Sequence, residues 1–288
     1  MVTGAGRGIG YFTAEALARA GATVVITTRR PEQAEHALAS IRSHVAGADV
    51  SSMTLDLASL ASIREAADTL AAPIDILINN GAQTDPQKVR SATADGFETV
   101  VGTNAFGPFA LTALLWPKLS PAARIVWLGS LSTRLGTAVL DDLEQQKGKY
   151  RGSLAYATSK HLVHAFAFEL QRRLDATGSG MRSLLAHPGF ALNAPGAQRA
   201  GITDLATRRE HLVERLMTLM THGKDRGAWP TLRAATDPLA KGGDFYGPSR
   251  SVTGRPVLTK PVAQSASAEF GAAAWAAAEA ATGVTFNP

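Results

Sequence analysis

Cysteine is absent from all 288 residues, which excludes a disulfide scaffold, a thiolate nucleophile and any zinc site built on sulfur. Charge is scarce at 18% and aromatic residues at 6%, whereas 45% of the chain is hydrophobic. That is too little charge for disorder and ample apolar material for a buried core. Basic residues exceed acidic ones only by 29 to 24, and pairs such as Arg29-Arg30, Arg172-Arg173 and Arg208-Arg209 are scattered. No basic stripe interleaves with aromatics, so nucleic acid is not an expected partner. No charge occurs between Glu98 and Lys118, a run long enough to cross a bilayer. It holds Asn104, Gly102, Gly107, Pro108 and Pro117, and a helix buried on a parallel sheet can be as uncharged, so no membrane span is expected. No positive region precedes an apolar stretch near the start. The expected location is cytoplasmic.

What is present is an alternation of short β-branched runs with longer helical ones, the pattern of βαβ units and a parallel sheet. Strands are predicted at 22–28, 51–55, 74–79, 124–129 and 181–187, and helices at 8–20, 31–46, 59–71, 95–119 and 153–177. Each strand is short and continuously apolar, as when helices cover both faces. The expected fold is α/β, a doubly wound parallel sheet in three α/β/α layers, with residues 1–288 forming one Rossmann-type domain. An alanine-rich helix is predicted at 266–282. The stretch 190–243 breaks the alternation and reads as a substrate-loop insertion. Within it Leu205, Leu212, Val213, Leu216, Met217, Leu219 and Met220 share one helical face, as a lid or as a helix packed on its own domain.

Residues 3–10 read TGAGRGIG, placed directly before a helical pattern. A helix N-terminus presents unpaired N–H groups and a partial positive charge, and glycines let a phosphate approach the backbone. A tight turn without a ligand is the alternative. At the end of the next strand, Thr27-Thr28-Arg29-Arg30 offers no acid before Glu32, and Arg7 lies in the turn itself. Guanidiniums there suit a 2′-phosphate better than a free ribose. Solvated surface arginines are the competing reading. On a later helix Tyr156 and Lys160 are four apart, hence on one face. A nearby ammonium stabilises phenolate and is expected to lower the tyrosine's pKa, making it usable for proton transfer. Such a pair alone is also common on ordinary amphipathic helices.

TGAGRGIG at 3–10, Asp56-Leu57, INNGA at 78–82, GTNAFG at 102–107, IVWLGS at 125–130, YATSK at 156–160 and HPG at 187–189 stand in one order. In that order the sequence resembles the short-chain dehydrogenase/reductase family, and within it the retinol-dehydrogenase-like branch. The resemblance implies an oxidoreductase moving a hydride between nicotinamide and a small-molecule carbonyl or alcohol, and the guanidiniums of Arg7 and Arg29 make NADP(H) the expected cofactor. It implies Tyr156 as acid or base, Lys160 on the nicotinamide ribose and Ser130, rather than Ser132, on the substrate oxygen. Asn104 would hold a proton-relay water. Gly4, Arg7, Gly8, Ile9, Gly10, Arg29, Asp56, Leu57, Asn80, Gly81, Pro188 and Gly189 would line the cofactor with Tyr156 and Lys160. Pro108 cannot donate to the carbonyl of residue 104, so a kink is expected there, serving the relay or packing alone.

Three departures stand out. Gly81-Ala82 replaces the family's usual Ala-Gly order, Asn193 stands where a threonine is common, and only Met1, Val2 and Thr3 precede the phosphate turn. Residues encoded in frame upstream are expected to complete that central strand. His161 and His164 have no carboxylate at ligand spacing, so no metal is expected. A dinucleotide-binding sensor or scaffold without turnover is the rival; an apolar substrate and a homo-oligomer are both left open.

Overall fold

Seven strands form the central sheet of the computed structural model, which describes residues 1–71, 73–85, 88–193, 195–203 and 221–288. The expected apolar face at 205–220 lies outside the described residues. The strands are β1 Val24–Thr28, β2 Val50–Thr54, β3 Ile74–Asn79, β4 Leu119–Leu128, β5 Arg182–Ala186, β6 Phe245–Pro248 and β7 Pro256–Leu258. β1 pairs with β2, and β3 to β7 pair in chain order, all parallel except β6 with β7. Between β1 and β3 lies Val2, bridging Ile26 on one side and Ile78 on the other, both parallel. The Val2 N–H donates to Val25 (2.9 Å) while the Ile78 and Thr27 N–H groups donate to Met1 and Val2. Three residues thus join the halves into one sheet, in the order β2-β1-Val2-β3-β4-β5-β6-β7.

Strand side chains alternate between faces. Leu77, Ile125, Trp127 and Leu185 enter one hydrophobic core, and Ile78, Val126, Leu128 and Leu184 enter the other. The first core is closed by α3 (Leu60–Thr69), α4 (Thr99–Lys118), α5 (Gly152–Thr177) and α7 (Ala268–Thr282). The second is closed by α1 (Gly8–Arg19), α2 (Pro31–His44) and α6 (Trp229–Thr236). This is the three-layer doubly wound fold the pattern implies. The alanine-rich α7 docks through Trp275, which stacks on Phe286 (centroids 4.8 Å) and meets Phe109 edge-on.

α4 begins at Thr99 rather than 95, because the buried Glu98 carboxylate accepts from the Val100 and Val101 N–H groups (3.0 and 2.8 Å) and caps it. The kink expected from Pro108 takes the form of a π-helical turn at Gly102–Phe106, followed by regular helix from Gly107. α4 is long and apolar enough to cross a membrane, yet 72% of its apolar window is buried in this fold. β4 starts at Leu119, earlier than the expected 124, and the last two strands, β6 and the edge strand β7, carry prolines that hide them in the sequence.

Candidate active site

The chain leaves Val2 towards β1 on one side and later returns to β3 on the other, so the crevice beyond these strand ends is the switch point where open α/β sheets bind ligands. The glycine-rich turn occupies it. Gly4 has φ +62°, and a Cβ there would come within 2.6 Å of the Gly81 Cα. Thr3 Oγ1 accepts from both the Asn80 and Gly81 N–H groups (3.0 and 2.9 Å), and Asn80 Nδ2 donates to the Thr3 carbonyl (2.7 Å). The glycine displaced to position 81 therefore lies where the phosphate turn presses on the end of β3. Leu57 is buried beneath it, and Asp56 Oδ1 accepts from the Ala58 N–H (2.9 Å).

Arg7 and Arg29 are exposed, Arg7 as the N-cap of α1 and Arg29 just past β1. Among the described residues neither guanidinium has a hydrogen-bond partner. One cation near this turn was not anticipated: Lys224 Nζ lies 4.0 Å from the Cβ position of Gly8. Its segment is drawn over α1 because Gly227 meets Ile9, and His222-Gly223 pairs in parallel with Ala191-Leu192. Lysine so far along the chain carried no periodic signal that could have marked it.

At the end of β4 the chain peels away at Ser130, whose Oγ accepts the Ser132 N–H (3.1 Å) and caps the short turn Leu131–Leu135. α5 brings Tyr156 and Lys160 alongside. Lys160 is buried, its Nζ donating to the Leu128 carbonyl (2.8 Å) and standing 5.8 Å from the Tyr156 ring centre. The expected lowering of the tyrosine is not found: burial raises the Tyr156 phenol above its ordinary value, with the Ser130 hydroxyl pulling the other way. Burial likewise depresses Lys160 to about 8. Desolvation is the dominant cause at both groups, and the Lys160 ammonium is engaged by a backbone carbonyl.

Asn104 is buried in the π-helical turn. Its Oδ1 accepts the Gln83 N–H (2.7 Å), and its Nδ2 donates to the Gln83 carbonyl (3.0 Å) and to Ser159 Oγ (3.2 Å). Ser159 in turn donates to the Tyr156 carbonyl (2.8 Å), so the loop after β3, α4 and α5 are tied together beside the tyrosine. Pro188 and Gly189 follow β5. The Pro188 carbonyl shares a hydrogen bond with His222 Nε2 (2.7 Å), and Gly189 donates to His187 Nδ1 (3.2 Å). Asn193 Oδ1 is buried without a partner among the described residues. No cluster of histidine and acidic side chains able to hold a metal occurs among the described residues.

A family model described as short chain dehydrogenase matches residues 1–196. Mouse polyprenol dehydrogenase is 36% identical over 252 residues, 84% of this chain and 72% of that protein. Human retinol dehydrogenase 13 is 42% identical over 197 residues, 66% of this chain and 58% of its own length. The chain thus spans little more than half of that second relative. A solved structure of an uncharacterized protein from Mycobacterium Paratuberculosis is 36% identical, with a TM-score of 0.80 over 99% of this chain and 92% of that one.

Proposed function

The chain belongs to the short chain dehydrogenase family, and from that premise we propose that it is an NADP(H)-dependent oxidoreductase interconverting a carbonyl and an alcohol. The observation that carries the proposal is the gathering of Ser130, Tyr156 and Lys160 at the ends of β4 and α5, beside a glycine turn at the sheet's switch point.

The residues fit a dinucleotide. Gly4, Gly8 and Gly10 bring backbone close to where a pyrophosphate would lie, at the start of α1, and Arg7, Arg29 and Lys224 supply positive charge around it. No carboxylate follows β1 before Glu32 to hold a free ribose hydroxyl, which favours a 2′-phosphate. The cofactor's nicotinamide, when bound, donates or accepts the hydride. The protein's own part is to hold the reacting oxygen and move its proton. Ser130 Oγ already accepts from Ser132, so its own hydrogen is left to donate to the substrate oxygen. Tyr156, held protonated by burial, delivers a proton to that oxygen in reduction and takes one back in oxidation. Lys160 uses one N–H on Leu128 and retains two for a ribose hydroxyl.

An apolar substrate is supported by Leu135, Val139 and Phe190, exposed at 86%, 59% and 43% on the segments that follow Ser130 and Gly189. The names of the polyprenol and retinol relatives point the same way. The test is a fluorescence titration with NADPH and NADH, followed by turnover on a panel of apolar aldehydes. NADPH is expected to bind at least about tenfold tighter, a difference of about 1.4 kcal/mol, and Arg29→Ala to erase that preference. Equal affinities would overturn the cofactor assignment, and NADPH binding with no turnover on any carbonyl would favour a non-catalytic sensor.

A further inference from the structure

Two buried histidines stand directly behind the reacting groups and take no part in the proton transfer described above. His164, on the inner face of α5, accepts the Ser130 N–H at Nε2 (3.3 Å). Gly129 still donates to Ala186 across the sheet (2.8 Å), but the chain turns off at Ser130, and the imidazole takes over the pairing that β5 no longer provides. A Cβ on Gly129 would overlap the Nε2 and Cδ2 of His164, so only glycine lets the ring rise against the backbone at this point. Phe245 packs edge-on against the ring at 5.1 Å.

Accepting at Nε2 fixes the neutral tautomer with its hydrogen on Nδ1, and that Nδ1 is buried with no partner among the described residues. Burial holds the imidazole well below its ordinary pKa. A leucine would remove that unmatched Nδ1–H but would orphan the Ser130 N–H in its place, so what the histidine adds over an apolar side chain is its bond to the Ser130 backbone. The same device recurs one strand over, where His187 Nδ1 accepts the Gly189 N–H (3.2 Å) and Phe245 meets that ring at 5.3 Å.

We propose that His164 is a positioning residue: by accepting the Ser130 N–H it fixes the backbone from which the Ser130 hydroxyl faces Tyr156 and the substrate oxygen. The assignment rests on the reading of Ser130 and Tyr156 given above. A Ser130 hydroxyl displaced by a fraction of an ångström would still bind substrate but would stabilise the developing oxyanion less well.

The experiment compares His164→Leu, His164→Gln, Ser130→Ala and the double variant Ser130→Ala/His164→Leu in kcat, KM, NADPH affinity and melting temperature. His164→Leu is expected to lower kcat about tenfold to a hundredfold with KM and NADPH affinity little changed. The glutamine, whose Oε1 can accept the same N–H, should recover most of the rate. With Ser130 already replaced, the leucine should cost less than about twofold, because coupled residues are non-additive. If the leucine variant fails to fold, His164→Met carries the same comparison. Equal losses with and without Ser130, or a glutamine variant no better than leucine, would overturn the proposal. A fully active Ser130→Ala would overturn the role of Ser130 and the proposal together, whereas inactive Ser130→Ala beside fully active His164→Leu would overturn the positioning role alone.

Discussion

Burial disfavours the charged forms of both Tyr156 and Lys160, raising the phenol and pushing the ammonium down to about 8. A tyrosine in that state can give a proton to a nascent alkoxide without first ionising, while alcohol oxidation requires a base and should accelerate as pH rises. Tyr156→Phe removes only the transferable hydroxyl. Turnover is expected to fall about 10²- to 10⁴-fold with NADPH affinity nearly unchanged, as single-turnover kinetics and fluorescence titration on the same preparation would read. Retained activity would place the proton donor elsewhere. The pairing of Tyr156 with Lys160 was legible because helical spacing alone puts residues four apart on one face. The direction of the tyrosine's shift was not, since it depends on how deeply α5 buries the phenol, which only the packed fold reveals. His164 was legible only as a histidine without metal partners; its contact with Ser130 joins residues far apart in sequence and has no local signature.

α4 shows how an element's end can be set by one side chain. Besides capping the Val100 and Val101 N–H groups, the Glu98 carboxylate accepts from the Tyr150 hydroxyl (2.9 Å), and the Glu98 N–H donates to Glu144, which is paired with Arg90. Three segments therefore converge on the helix start, one turn before Asn104. Glu98→Ala would orphan two helical N–H groups and one half-buried hydroxyl, and is expected to destabilise the protein by about 2–4 kcal/mol. Urea denaturation would measure it. Glu98→Gln, which keeps an acceptor, should lose less, and an equal loss would mean that the charge rather than the cap matters. The existence of α4 was readable from its uncharged run and its distortion from Pro108. Its start was not, because Asp95 and Gly96 look compatible with a helix until the cap at Glu98 is seen. β6 and β7 escaped notice for a related reason: three or four residues containing proline resemble a turn until a neighbouring strand pairs with them.

Across the whole molecule the order of strands around Val2 follows from the βαβ alternation, and so does the position of the switch point. What the alternation does not disclose is that four of the six histidines among the described residues end up buried, so that acid attacks the fold from inside. Desolvation lowers His161, His164 and His222, and brings His187 to about 4. A histidine whose folded pKa lies below its unfolded value of about 6.5 binds fewer protons in the native state throughout the interval between the two. Stability therefore rises with pH across that interval, by up to about 1.4 kcal/mol per pH unit for each such group. For His187 the contribution is fully present above about 6.5 and is lost as pH falls to about 4. Urea unfolding at pH 4.5, 5.5, 6.5 and 7.5 should show stability climbing over the first three points and levelling at the fourth. His187→Asn places an uncharged acceptor near the Gly189 N–H and should reduce the slope, and His164→Gln should reduce it further. If the variants kept the full slope, the acid sensitivity would belong to carboxylates such as Glu15, whose pairing with Arg19 and Arg199 outweighs its burial and lowers its pKa. That loss would set in below the histidine range, so the position of the midpoint on the pH axis separates the two origins even before a variant is made.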